Sequence, residues 1–174
     1  MLAMFQPEEW TLLEQFQRQN LKHWLIGGHG IELVVGHSYR AHEDLDFMVD
    51  AHDGPRMLRV LEDLGFSHLQ GSLEEGDVFY RREHLIVDVV PIDSRACPPR
   101  TFGELAPIQW PEVFLETHVV QVQGMALPTL TAEMHLAMKI LIADFYQIPM
   151  REKDLVDCEQ LRSCREAFQQ APAQ

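Results

Sequence analysis

Basic residues are scarce in this chain: 14 lysines and arginines stand against 27 aspartates and glutamates, a net charge of −13. Affinity for nucleic acid comes mainly from Lys and Arg neutralising phosphates, so the balance argues against an RNA or DNA partner. It leaves room for a few local cations to hold a single nucleotide, and its overall field favours a cationic small molecule. Cysteine is scarce as well. Cys97, Cys158 and Cys164 have no metal-ligand spacing, and an odd count suits reduced thiols in the cytoplasm rather than a disulfide framework. No apolar run approaches the roughly 20 residues needed to cross a bilayer. The opening MLAMFQPEEW has no basic segment followed by an apolar one, so no signal peptide is expected. Nine histidines are present, yet none is spaced as His-x-His or His-x-x-x-His and none lies near a cysteine, which gives no zinc signature.

What is there reads as one mixed α+β domain. Pro7-Glu8-Glu9 opens a helix to about Gln19, with proline and acids in the first turn, where the helix dipole favours them. His23 to Ile26 reads as a strand ending at Gly27-Gly28, and Ile31 to Val35 as a short helix. A strand over Leu45–Val49 precedes a helix that starts at Gly54-Pro55 and stops at Gly65. Further strands are expected near Phe66–Leu69, Val78–Arg82 and Leu85–Ile92, the last two as a hairpin turning at Arg82-Glu83-His84. Four prolines between Pro98 and Pro111 predict an irregular loop. Thr117 to Leu127 alternates as another hairpin around Gln123-Gly124, Thr131 caps a helix through Phe145, and Arg151 to Phe168 supplies one or two more. The expected architecture is a small mixed sheet flanked by helices over residues 1–128, with a helical segment over 129–174 packed on it.

The chemistry concentrates in "WLIGGHGIELVVGHSYRAHEDLDFMVD". Side chains alternate across a strand, so Asp44 and Asp46 share a face while Leu45, Phe47 and Val49 line the other. Two adjacent carboxylates repel and need a counter-cation, and hard Mg²⁺ prefers carboxylate and phosphate oxygens. A third carboxylate, Asp88, interrupts the apolar run "HLIVDVVPID". If the two strands are neighbours, Asp44, Asp46 and Asp88 converge as a site for two metal ions. Gly27-Gly28 end a strand just before a helix, where backbone N–H groups can face an anion and glycine lets phosphate come close.

Paired glycines after an apolar strand, Asp-x-Asp heading the next strand and a lone Asp in a later one resemble the polymerase-β-like nucleotidyltransferase superfamily. More narrowly, Trp24 to Asp46 is similar to the short nucleotidyltransferases acting on aminoglycosides and lincosamides, whose pattern is Trp, two residues, paired Gly, then Gly-Arg-x-Thr-Arg-x-His-x-Asp-Ile-Asp. The resemblance implies that Gly27, Gly28, Arg40 and His42 lie at the nucleotide, that Asp44, Asp46 and Asp88 bind Mg²⁺, and that Asp88 alternatively acts as base. It also implies a basic residue from the C-terminal helices on the triphosphate. Lys139 is the first candidate, ahead of Arg151 and Lys153, although Glu152, Lys153, Asp154 and Asp157 equally suit a solvated face of exposed ion pairs. His37, Tyr39, His29 and Glu32 depart from the pattern.

The expected activity is Mg²⁺-dependent transfer of a nucleoside monophosphate, AMP from ATP, to a hydroxyl of a small cationic acceptor such as an aminoglycoside. Glu43, Asp50, Glu74, Glu75 and Asp77 are expected to make the cleft negative beyond the metals. Two alternatives stand beside it: nucleotidylation of a protein or RNA, as in toxin-like relatives, and a non-catalytic nucleotide-binding module. Three mutually repelling carboxylates argue against the second.

Overall fold

The computed structural model describes residues 5–170, with side chains described through residue 164; the first four residues of the segment read for a leader lie outside it. Its backbone is a mixed sheet of eight strands. In chain order these are β1 (His23–Ile26), β2 (Asp44–Asp50), β3 (Ser67–Ser72), β4 (Asp77–Arg82), β5 (Leu85–Asp93), β6 (Arg100–Thr101), β7 (Thr117–Val122) and β8 (Met125–Leu130). The spatial order is β3-β4-β5-β2-β1-β8-β7, with the short β6 beside β5. The helices are α1 (Pro7–Arg18), α2 (Gly27–Val35), α3 (Gly54–Asp63), α4 (Ala132–Tyr146) and α5 (Glu152–Gln170).

Strand alternation sorts the core into two layers. Leu45, Phe47 and Val49 of β2 join Val87 and Val89 of β5 on one face, packed against Leu12, Leu13 and Phe16 of α1 and Met57 and Leu61 of α3. On the other face Met48, Val90 and Ile92 meet Trp110 and Phe114 of the long connection and Met134 and Met138 of α4. The second layer stops short of the β2 and β5 N-terminal halves, where the period-2 pattern exposes aspartates in place of apolar residues.

Several boundaries move from the sequence-based expectation. α2 starts at Gly27 itself, four residues earlier than expected, because Ile26 is still extended and Gly27 takes φ +62°. β3 continues past Leu69 to Ser72 by means of an irregularity between His68 and Gln70. The proline-rich segment contains β6 and one 3₁₀ turn, Gly103–Leu105. Gln123 and Gly124 both adopt positive φ, the geometry of a tight hairpin turn, and β8 runs on to Leu130, so a boundary at residue 128 falls inside a strand. Thr131 caps α4 by accepting the Met134 N–H at 3.3 Å, as its position implied. One continuous helix, α5, follows, and it packs on α4 and α2.

Candidate active site

The parallel pairing of β2 with β5 sets Asp46 directly opposite Asp88, while Asp44 lies two residues before Asp46 on the same face. All three line one cleft of about 350 Å³. Its floor also takes in Ile26, Gly27 and Gly28 at the end of β1, where Ile26 pairs with Asp46. Burial, then the neighbouring Asp44, pushes Asp46 up to about 7, partly offset by Lys139. Burial, then Asp46, Asp77 and Asp44, pushes Asp88 up to about 8. Asp88 Oδ1 is buried without any hydrogen-bond partner. An oxygen left bare among other carboxylates is costly, and a cation relieves it. The donor set is all hard oxygen, which fits Mg²⁺ and not a softer ion.

The paired glycines are required by what sits on them. A Cβ on Gly27 would lie 2.0 Å from Asp46 Oδ2, and its φ of +62° is one that L-residues adopt only under strain. A Cβ on Gly28 would lie 2.1 Å from His42 Nδ1 and 2.8 Å from Arg40 Nη2. The absent side chains therefore make room for the carboxylate, imidazole and guanidinium that follow in sequence. The spacing from the glycines to Asp-Leu-Asp has this physical basis.

Cations line the cleft as well. Arg40, Lys139, Arg151 and Lys153 line the same cleft as the aspartates. Three of these four cations are held by α5. Arg40 donates from Nε to Asp157 Oδ1 at 2.8 Å and from Nη2 to Asp157 Oδ2 at 2.9 Å, a bidentate pair joined by the Tyr39 hydroxyl at 2.7 Å. Lys139 Nζ sits 2.7 Å from Asp154 and 2.8 Å from Asp157. Arg151 donates to Asp154 from Nε at 2.7 Å and Nη2 at 3.1 Å. Burial alone would raise both acids, but these donors hold Asp154 and Asp157 below the usual carboxylate range. The expectation of a solvated face fails for these two acids, since Asp157 is fully buried and Asp154 nearly so. Lys153 does remain partly exposed, 3.9 Å from the exposed Glu43.

Of the acids expected to extend the negative field, Asp77 lines the cleft. Asp50 does not: it is buried, accepting from the Ser94 hydroxyl and the His52 N–H. The rest of the wall near Asp77 is apolar or aromatic, with Phe79, Leu105, Trp110, Ile142 and Tyr146. His42 Nε2 approaches Glu32 Oε1 at 2.8 Å, though not along a hydrogen-bond axis, and burial depresses its basicity. Asp154 and Asp157 were missed as site residues. Their signal lay in the pattern Asp154, Asp157, Cys158, Leu161, a helical stripe with acids in two of its inward positions, while Leu155 faces out at 56% exposure.

Comparison with known proteins bears on this arrangement. The family profile described as aminoglycoside-2''-adenylyltransferase matches residues 10–161. The chain belongs to that family. A curated relative, the lincosamide resistance protein of Staphylococcus haemolyticus, is 31% identical over 91 residues, covering 51% of this chain and 55% of the relative. The match thus spans about half the length of that protein. Two solved structures share the fold. The lincosamide antibiotic adenylyltransferase LnuA with lincomycin bound superposes with a TM-score of 0.67 at 20% identity, over 92% of this chain and 98% of that one. ANT(2'')-Ia in complex with adenylyl-2''-tobramycin gives 0.66 at 16% identity, over 92% and 94%. Among the described residues no helix is long and apolar enough to cross a membrane.

Proposed function

We propose that this protein is a Mg²⁺-dependent adenylyltransferase that moves AMP from ATP to a hydroxyl of a small cationic antibiotic and releases diphosphate in the cytoplasm. One observation carries the reading: three carboxylates, two of them paired across adjacent strands, and four cations line a single cleft. An NTP needs both halves, a divalent cation on one side of its phosphates and fixed positive charge on the other. Asp44, Asp46 and Asp88 would hold Mg²⁺, which supplies neutralisation of charge on the phosphate oxygens and acidification of the acceptor hydroxyl.

The protein's own groups do the remainder. Gly27, Gly28 and the α2 N-terminus present backbone N–H groups to the phosphates. Arg40 and Lys139, fixed by Asp157, and Arg151, fixed by Asp154, orient the triphosphate. His42 covers Gly28 and keeps Arg40 over the glycine pair. The acceptor oxygen attacks the α-phosphorus, its proton passes to the unpartnered oxygen of Asp88, and the bond to the β-phosphate oxygen breaks with its electron pair.

For the acceptor, Asp77 offers an anion to an ammonium group, and Phe79, Trp110 and Tyr146 offer flat apolar area beside it. Aminoglycosides and lincosamides both present ammonium and hydroxyl groups, so both classes are candidates. The test is mass spectrometry of acceptors from each class incubated with the protein, Mg²⁺ and each NTP in turn. A product heavier by one AMP, absent without Mg²⁺ and with Asp46→Asn, is the expected result. No product from any acceptor and nucleotide, with ATP and Mg²⁺ also failing to raise the melting temperature, would overturn the reading.

A further inference from the structure

Beside the glycine pair the fold gathers three residues that the sequence keeps apart. His29 and Glu32 stand one turn apart on α2, and His42 comes from the loop that leads into β2. The His29 and His42 ring centroids are 4.4 Å apart, and one ligating atom from each of His29, Glu32 and His42 lies within 4.8 Å of the others. Side chains of all three are more than nine-tenths buried: 7% exposed for His29, 1% for Glu32 and 6% for His42. His29 Nδ1 nevertheless has no hydrogen-bond partner, and His42 Nε2 lies 2.8 Å from Glu32 Oε1 but off the hydrogen-bond axis. Orphaned nitrogens around a buried carboxylate are costly in a closed interior unless something else occupies the space between them.

The surroundings have the form of a supported ligand set. Glu32 is oriented through both oxygens, accepting from the Ser38 hydroxyl at 2.9 Å and the Tyr39 N–H at 3.1 Å. His29 Nε2 lies 3.5 Å from Glu9 Oε1, and the other Glu9 oxygen is fixed by the Gln6 N–H at 2.7 Å. A ligating imidazole backed by a carboxylate, and a ligating carboxylate held by hydrogen bonds, are the usual outer support of a metal centre.

We infer that His29, Glu32 and His42 form a second, buried cation site that takes Zn²⁺, separate from the aspartate site of the cleft. Two imidazoles and a carboxylate suit Zn²⁺, whereas the cleft offers oxygen alone and suits Mg²⁺. Tetrahedral Zn²⁺ with bonds of about 2.0–2.1 Å holds its ligands about 3.3 Å apart, so the His42–Glu32 pair, now at 2.8 Å, opens slightly and His29 closes on them by small side-chain rotations. The bound ion fastens the loop carrying His42 onto α2, and that loop delivers Asp44 to the cleft. His29 lies off the pattern of the related antibiotic nucleotidyltransferases, which makes the site a feature of this chain. The inference does not depend on the transfer reaction.

The full-length protein, stripped with a chelator and re-equilibrated with Zn²⁺ in excess Mg²⁺, should retain about one zinc per chain by elemental analysis. Co²⁺ in its place should give visible absorption of a low-coordinate site. His29→Phe keeps an aromatic ring against Phe5 and should abolish both signals, while Glu9→Gln should weaken zinc binding by roughly 10-fold or more. Asp46→Asn with Asp88→Asn should leave the zinc content unchanged. Zinc absent from the wild type, retained in His29→Phe, or lost with the two aspartates would each overturn the proposal.

Discussion

Asp88→Asn should make the metal-free protein more stable at pH 8 while ending catalysis. A carboxyl raised to about 8 from the ordinary 3.8 remains protonated in the folded chain at pH values where the unfolded chain has already released its proton. Folded molecules then bind more protons than unfolded ones, so stability falls as pH rises through that window. The contribution is intact below about pH 4 and lost as pH passes 8. About four pKa units at 1.36 kcal/mol each, less the fraction still protonated, set a ceiling of about 5 kcal/mol at pH 8. Water entering the open cleft and protons shared with Asp46 reduce the realised gain to about 1–3 kcal/mol. For a chain of this length that corresponds to a rise of about 3–10 °C in melting temperature. Thermal unfolding of wild type and variant in a chelator, at pH 5 and pH 8, measures it directly. The gain should be large at pH 8 and about a third of that at pH 5, and added Mg²⁺ should stabilise wild type more than the variant. A variant less stable at pH 8, or stabilised equally at both pH values, refutes the account of repelling buried carboxylates.

Three other outcomes follow from the same geometry. Gly27→Ala forces a methyl onto the Asp46 carboxylate at a positive φ and should cost about 2–4 kcal/mol in denaturant unfolding, together with the Mg²⁺-dependent part of the ATP-induced thermal shift. Asp157→Asn strands Arg40, leaves Lys139 with Asp154 alone and should cost about 3–5 kcal/mol. Because Asp157 is held below its ordinary value, its contribution is present above about pH 4 and lost as pH falls through the folded value, so the wild-type advantage should shrink on acidification. Aminoglycoside binding in isothermal titration should weaken with salt, since exposed attraction is screened over roughly 10 Å at 0.1 M ionic strength, and Asp77→Asn should flatten that dependence. An unchanged salt slope in Asp77→Asn would remove Asp77 from the acceptor site.

The sheet and its carboxylates were legible because alternation is a strong local signal. Leu45, Phe47 and Val49 against Asp44 and Asp46, and Val87 and Val89 against Asp88, each declare a face, and parallel pairing then fixes the register. The start of α2 was not legible, since glycines weaken any helix signal and Gly27 enters the helix through a conformation that sequence does not encode. Asp154 and Asp157 were misjudged for a different reason. Acidic residues on a helix usually face water, and it is the approach of Lys139 and of Tyr39 and Arg40, the last from a loop 117 residues earlier, that makes the interior tolerable for Asp157. The same holds for His29, Glu32 and His42, whose proximity depends on how a loop folds back over α2.

The grip of α5 on the cationic wall alters how an NTP must enter. Arg40, Lys139 and Arg151 carry three charges against the two of Asp154 and Asp157, and Lys153 adds a fourth, so only a small positive excess is left before any nucleotide arrives. The two helix acids behave as resident surrogates for phosphate: an incoming triphosphate competes with them for the same N–H donors, and each donor is already aimed. Entry is then an exchange of anions at a preformed wall, with little freedom left to lose on binding. On the proposed function, selectivity would follow from the same exchange, since a monophosphate carries less charge than a triphosphate with which to displace two buried carboxylates. On that reading α5 would set the threshold of charge that a nucleotide must carry to be admitted.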